Sequence, residues 1–297
     1  MNNQVIEYWQ KQVEQLRKVK LSYHCTQRKC LNSQAIYYDL EFTSFDGTKI
    51  YAKYIRPNHQ EKVPVVFDFH RYQASSQGWF HITRYVALNY AVVAMDCRGQ
   101  GGQSLDTLNS VGTTVCGHIM KGIDGQVEDL YYHKVYLDAL LLSWIVEELE
   151  GIDSERMISF GRDQGAAIAF VLAALNPRIK KCSMLYPMLV DIRELIERNE
   201  ESGMSEDIRY YMRWFDPLNN RKEEILNKLD YIDMINFTSL VKADVLLASA
   251  MLDTKTPAWS HKKLFEQLNC QKKLLQFVKH EHELINAFED ENLKFIL

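Results

Sequence analysis

The chain has 297 residues, 46% of them hydrophobic and 25% charged, with a formal net charge of -4. That length buries a sizeable core, as one large α/β domain or two small ones. The charge gives no reason to expect nucleic acid or an anionic membrane as a partner. The opening Met1-Asn2-Asn3-Gln4 has neither a basic start nor an apolar run, and no stretch approaches the length of a membrane span. The expectation is a soluble, cytoplasmic protein. The cysteines, Cys25, Cys30, Cys97, Cys116, Cys182 and Cys270, lie far apart and read as reduced thiols, a local Cys25–Cys30 pair being the lesser alternative.

In chain order, Val5, Ile6, Trp9, Val13 and Leu16 recur at helical spacing, which predicts an amphipathic helix over 4–19. Two runs rich in aromatic and β-branched residues, 36–42 and 49–56, flank Asp46-Gly47 and read as a β-hairpin. Short buried strands follow at 64–69, ending at His70-Arg71-Tyr72, and at 91–95, ending at Asp96-Cys97-Arg98-Gly99-Gln100-Gly101-Gly102. The stretch from Gln103 to Gln126 has no periodicity and reads as a surface excursion; 127–149 reads as helix. Further strands are expected at 157–160, 182–185, 244–249 and 274–277, with helices from Gln164, near 257–268 and over 283–297. Strands alternating with helices imply a mostly parallel sheet covered on both faces, the hairpin forming an antiparallel edge. We read residues 1–297 as a single α/β domain, with a helical extension over 1–35 and a helical insertion over 191–235 lying across the strand ends.

Met157 to Phe160 run into Gly161-Arg162-Asp163-Gln164-Gly165, and a small-residue helix follows. This is the layout of a nucleophile elbow, with Asp163 at the tip where serine is usual. In open α/β sheets functional groups gather at the carboxyl ends of strands. Asp253 follows the strand at 244–249 and His282 follows the last strand, so elbow residue, acid and histidine come in the chain order of the α/β-hydrolases. A lone Asp after a strand is ordinarily a turn or cap residue. A lone His is ordinarily structural. The joint arrangement is what favours a site. His261 and His280 lack such support and are expected to be solvated.

Several stretches carry a family resemblance: Tyr90 through Arg98-Gly99-Gln100-Gly101-Gly102, Gly117-His118-Ile119-Met120-Lys121-Gly122-Ile123-Asp124, Leu130-Tyr131-Tyr132, Val135-Tyr136-Leu137-Asp138-Ala139, Arg213-Trp214-Phe215-Asp216-Pro217, and the run Leu229 to Asn236. On these the chain, from about residue 35, resembles the acetyl xylan esterase / cephalosporin-C deacetylase family of carbohydrate esterases. The resemblance implies an α/β-hydrolase fold and a Ser-Asp-His triad that removes acetyl groups from small acetylated sugars. It also implies a homo-oligomer, a ring-like hexamer, and no metal or organic cofactor. Carried over, the acid falls on Asp253, the base on His282, and the oxyanion hole on the backbone N–H groups of Tyr72 and Gln164. The family's Gly-Gly-Ser-Gln-Gly-Gly reads here Gly161-Arg162-Asp163-Gln164-Gly165-Ala166; its His-Gly-Tyr reads His70-Arg71-Tyr72; and Glu281 replaces the Gly before the histidine.

Three readings of Asp163 follow. The first is an altered ester hydrolase, weakened because carboxylate attack on an acetyl group gives a mixed anhydride and expels an alkoxide. The second is a non-catalytic sugar-binding or assembly homologue, in which Asp163 pairs with Arg71 or Arg162 because an unpaired buried charge is costly. The third is an Asp-nucleophile hydrolase of the epoxide or haloalkane type, with Asp163, His282 and Asp253 acting together. They differ in whether Asp163 reaches His282 or is drawn to an arginine.

Overall fold

The computed structural model describes residues 3–29, 32–59, 61–107, 117–198 and 203–297. Helix α1 (Asn3–Leu16) buries Val5, Trp9 and Leu16, and the Trp9 indole donates to the carbonyl of Tyr231 at 2.8 Å. An amphipathic stripe thereby becomes a docked helix. The stretch expected as a helical extension then turns into strand β1 (Tyr23–Gln27), a sheet edge in which only Cys25 is half-buried. No apolar alternation announces it; its pairing with β2 is a matter of backbone hydrogen bonds.

Strands β2 (Ala35–Thr43) and β3 (Lys49–Pro57) form the expected hairpin. Gly47 supplies the positive φ of its turn, and the Asp46 carboxylate accepts the Thr48 N–H at 3.1 Å. Strand β4 (Val63–Phe69) is buried throughout. Helix α2 (Trp79–Ile82) and a 3-10 turn over 83–88, neither of them expected, lead to β5 (Ala91–Met95). Of the Gln103–Gln126 excursion, 108–116 lie outside the described residues. Its return is not superficial, because Ile119, Met120 and Ile123 are buried in the core. Cys30 and Cys116 also lie outside the described residues, while Cys25, Cys97, Cys182 and Cys270 are free thiols.

The rest alternates as α3 (Tyr131–Glu148), β6 (Ile152–Arg162), α4 (Gln164–Leu175), β7 (Ile179–Leu185), α5 (Ile192–Glu197), α6 (Gly203–Phe215), α7 (Lys222–Leu229), β8 (Asp244–Ala250), α8 (Ala258–Gln267), β9 (Lys272–Phe277) and α9 (Asn286–Ile296). The strands form one sheet in the order β1-β2-β3-β5-β4-β6-β7-β8-β9, antiparallel through β3 and β5 and parallel from there on. Val65, Phe67 and Phe69 face one apolar layer with α3 and α4, whereas Val66 faces the other with residues 82–85 and α9. The period-two alternation of β4 is thus buried on both sides.

One charged cluster is built into this frame. The guanidinium of Arg98, fully buried, grips both oxygens of Asp138 on α3 at 2.7 Å and reaches Asp46 of the hairpin turn, also at 2.7 Å. It locks the exit of β5 to α3 and to the hairpin, with the bidentate geometry that suits arginine.

Candidate active site

The elbow follows from local sterics. Asp163 has φ 56° and ψ -120° and follows β6 directly, with α4 starting at the next residue. Its N–H donates to the Leu185 carbonyl of β7 at 3.0 Å, and its own carbonyl accepts the Ala166 N–H at 3.1 Å. A Cβ on Gly161 would strike the backbone of Gly165, and one on Gly165 would strike the carbonyl of Phe69. Both glycines are required for α4 to start so close to the strand ends. The non-glycine residue held at positive φ between them is the strained position of the turn.

The Asp163 carboxylate does not lie free in the pocket. Its Oδ2 accepts the backbone N–H of Tyr72 at 2.9 Å, and the adjoining backbone N–H of Gln164 adds to the field that favours its charge. These are the two groups that the resemblance designates as an oxyanion hole. Burial raises the Asp163 pKa above the usual carboxylate range, against the lowering effect of His282 and of the two N–H groups.

The structure brings Asp253 and His282 together. His282 Nδ1 lies 2.8 Å from Asp253 Oδ2, leaving Nε2 as the nitrogen to face a ligand. The other Asp253 oxygen accepts the N–H groups of Lys255 at 2.7 Å and Thr256 at 3.2 Å, and the Thr256 hydroxyl donates to Oδ2 at 2.7 Å. Burial alone would raise the Asp253 pKa; the hydrogen bond and charge of His282 outweigh it and hold the group below its ordinary value. Asp163 and His282 line one cavity of about 680 Å3 together with Arg71, Tyr72, Met188 and Tyr210.

The expected arginine partners of Asp163 are corrected here. Among the described residues neither Arg71 nor Arg162 forms an ion pair with it, and it makes no direct hydrogen bond to His282. Arg162 shares a strand face with Phe160, two residues earlier, and that face turns to α9. Its guanidinium lies 5.4 Å above the Phe160 ring and pairs with Glu289. Arg71 is exposed at the cavity edge, and its guanidinium has no partner among the described residues. Glu281 is exposed. His261, expected to be solvated, is wholly buried behind β8, between the Ser249 hydroxyl at 3.0 Å and the Pro187 carbonyl at 2.9 Å; burial brings its pKa down to about 4. His280 is partly exposed and pairs with Glu283.

Several supporting residues escaped the sequence reading. Gln100 accepts the Gln73 N–H at 3.0 Å and donates to Gln164 Oε1 at 2.6 Å, tying the two hole segments together. Tyr132 donates to the same Gln164 oxygen at 2.9 Å, and Tyr131 reaches the Arg98 carbonyl at 2.6 Å. The Tyr72 hydroxyl donates to Asp207 of α6 at 2.6 Å and accepts the His118 N–H at 3.0 Å. His70 accepts the Cys97 N–H at Nε2 (2.9 Å) and therefore donates from Nδ1 to the Arg71 carbonyl, 2.8 Å away. It braces the loop as a neutral ring. The resemblance around Gln100, His118 and Tyr131-Tyr132, and the strand end His70-Arg71-Tyr72, marked most of these residues without assigning these side-chain roles. Among the described residues no group of three or more His, Cys, Asp or Glu side chains is placed to hold a metal, and no helix is long and apolar enough to cross a membrane.

A mostly parallel sheet with antiparallel N-terminal strands, carrying a strand–elbow–helix turn with an acid and a histidine on later strand ends, defines an α/β hydrolase. Comparison agrees. The structure superimposes on acetyl xylan esterase 1 from a Thermoanaerobacterium species with a TM-score of 0.94 at 32% identity, covering 98% of this chain and 92% of that one. An acetyl xylan esterase from a Paenibacillus species gives 0.91 at 25% identity, covering 97% and 92%. The acetyl esterase Axe7A of Xylanibacter ruminicola is 22% identical over an alignment of 261 residues that covers 84% of this chain and 56% of that protein, so the chain spans little more than half of it. The family model described as acetyl xylan esterase (AXE1) matches residues 2–297, and the chain belongs to that family.

Proposed function

We propose that this chain is a carboxylic ester hydrolase of the acetyl esterase type whose pocket receives small acetylated carbohydrates, and whose ester turnover is held down by its own elbow residue. One observation carries the reading: Asp163 Oδ2 accepts the Tyr72 N–H at 2.9 Å. An acetyl carbonyl needs that donor as negative charge develops on its oxygen, and the hole acts only if its N–H groups are available at that moment. Here the carboxyl group of Asp163, on the same chain, already takes the Tyr72 donor. Asp163 is also an unsuitable acyl acceptor, since attack on the acetyl carbon would form an anhydride while expelling an alkoxide. What remains is a water activated at His282 Nε2, with Asp253 orienting the ring through Nδ1. In a well-studied protease, losing the triad nucleophile lowers kcat on the order of a million-fold.

The decisive experiment is Asp163→Ser, assayed on an acetylated xylo-oligosaccharide and on a chromogenic acetate. The substitution frees the Tyr72 donor and puts a hydroxyl at the elbow tip, on the cavity that His282 also lines. Ester turnover is expected to rise by about a thousandfold or more, and His282→Ala is expected to abolish the gain. Ordinary esterase rates in the unsubstituted protein, or no gain in Asp163→Ser, would overturn the reading.

The same hydrogen bond favours a second reading. A carboxylate with one oxygen held in the hole presents the other to a ligand, the posture needed for displacement at an sp³ carbon. The Asp163 oxygen would bond to that carbon as its bond to the leaving group breaks, and the leaving group would depart with the electron pair. Water deprotonated by His282 would then attack the Asp163 carboxyl carbon and release the alcohol. Single-turnover reaction in heavy-oxygen water puts label into Asp163 on this route; turnover that leaves Asp163 unlabelled excludes it.

A further inference from the structure

A second cavity of about 770 Å3 adjoins the first, and Arg71, Ala74 and His282 line both. Its own wall brings in Arg162 from the end of β6, His81 from α2, Asp68 from β4, and Tyr186 and Glu283 from the loops after β7 and β9. Its charges can be followed through their contacts. Arg162 pairs with Glu289; Arg84 lies 3.6 Å from Glu289 and 3.9 Å from Asp68; Glu283 pairs with His280 at 2.9 Å. Asp68 and Glu289 are thus matched by Arg84 and Arg162, and Glu283 is tied to the His280 ring at the chamber's outer side. Arg71 is left over, an exposed guanidinium with no partner among the described residues, and the buried Nε of Arg162 has no acceptor. The pKa of His81 is lowered, by burial first and then by Arg84 and Arg162, with Glu289 acting against them.

Arg71 and Arg162 are also two of the positions at which this sequence departs from glycine in the motifs of the family it resembles. Both departures line the same chamber, and His282 stands between that chamber and Asp163. We propose that the second chamber receives an anionic group, a carboxylate or a phosphate, carried by the ligand whose acyl-bearing part lies over Asp163, and that Arg71 is the residue that selects for it. This rests on the acetylated-carbohydrate reading and narrows it to acidic or phosphorylated sugars. Guanidinium suits the task because its planar fork donates to two oxygens of either anion at once.

Titration calorimetry of the full chain at low salt tests the proposal with three monoacetylated ligands on one scaffold: glucose, glucuronic acid and glucose 6-phosphate. At least one anionic ligand is expected to bind about tenfold more tightly than the neutral one, the size of one charge-assisted contact. The tighter of the two identifies the anion. Arg71→Gly is expected to erase the preference, the anionic ligand losing about tenfold more than the neutral one, and Arg71→Lys to keep most of it. Equal binding of all three ligands, or a preference that survives Arg71→Gly, overturns the anion chamber and leaves the acetylated-sugar reading standing. Unacetylated glucuronic acid separates the two ideas: binding as tight as that of its acetylated form keeps the chamber and counts against the acetyl reading.

Discussion

Asp138 and Asp163 are both buried carboxylates, and they are satisfied in opposite ways. Asp138 is gripped on both oxygens by the Arg98 fork, with Asp46 on the same guanidinium. Asp163 receives the backbone N–H of Tyr72 and no cation, although Arg162 stands beside it in the chain and Arg71 beside Tyr72. A carboxylate matched to a guanidinium has its charge neutralised and its geometry fixed, so it serves as a fastener. One held by peptide dipoles has no counter-cation and faces a cavity, where its lone pairs stay open to ligand chemistry. Burial alone does not separate structural from functional carboxylates; the identity of the donors does.

The comparison can be broken at either end. The largest expected effect is the gain of about a thousandfold or more in ester turnover on Asp163→Ser; the matching change Asp138→Ser should leave turnover per folded molecule unchanged. Next comes Asp138→Asn, which leaves the buried Arg98 short of its main partner and is expected to lower unfolding free energy by about 3–5 kcal/mol, read from the denaturant midpoint.

Acid unfolding sharpens the same contrast. Burial would raise the Asp46 pKa, but the Arg98 hydrogen bond and charge hold it at about 2, below the ordinary aspartate value. A depressed folded pKa means that the contribution of Asp46 is complete above its unfolded value and is lost as pH falls from there toward about 2. Asp46→Asn should flatten the stability curve in that acid window. The smallest effect runs the other way. Because the folded pKa of Asp163 is raised, its contribution is present at low pH and lost as pH rises through the folded value. Asp163→Asn keeps an acceptor for the Tyr72 N–H without the charge, and is expected to stabilise the protein near neutrality by about 1 kcal/mol, roughly 2 °C in Tm. A gain that fails to vanish toward acid pH would show that the carboxylate is not destabilised by burial.

Much of the sheet was legible from runs such as Val65 to Phe69 and from the Asp46-Gly47 turn, because burial on two faces and turn sterics leave local signatures. Strand β1 was not legible, having four exposed residues of five and no apolar alternation. Helix α2 and the turn after it were missed for their brevity. In the site, the chain order elbow–acid–histidine pointed to Asp253 and His282, which lie in hydrogen-bond contact. The bracing by Gln100, Tyr132, Asp207 and His70 was hidden, since each is an unremarkable polar residue until its partner is known. His261 was misread for the same reason.

The sequence by itself determined the elbow: Gly161 and Gly165 admit no side chain, and these five residues set the turn that lifts Asp163. It also determined which residue types stand on the strand ends. The tertiary structure decided what holds them. Tyr72 lies 91 positions from Asp163, and Glu289 lies 127 from Arg162. Backbone sterics act between near neighbours, so they can be read along the chain. The choice of partner for a charge depends on which distant groups the packed strands bring to it, and on the face to which the alternation of β6 sends each side chain.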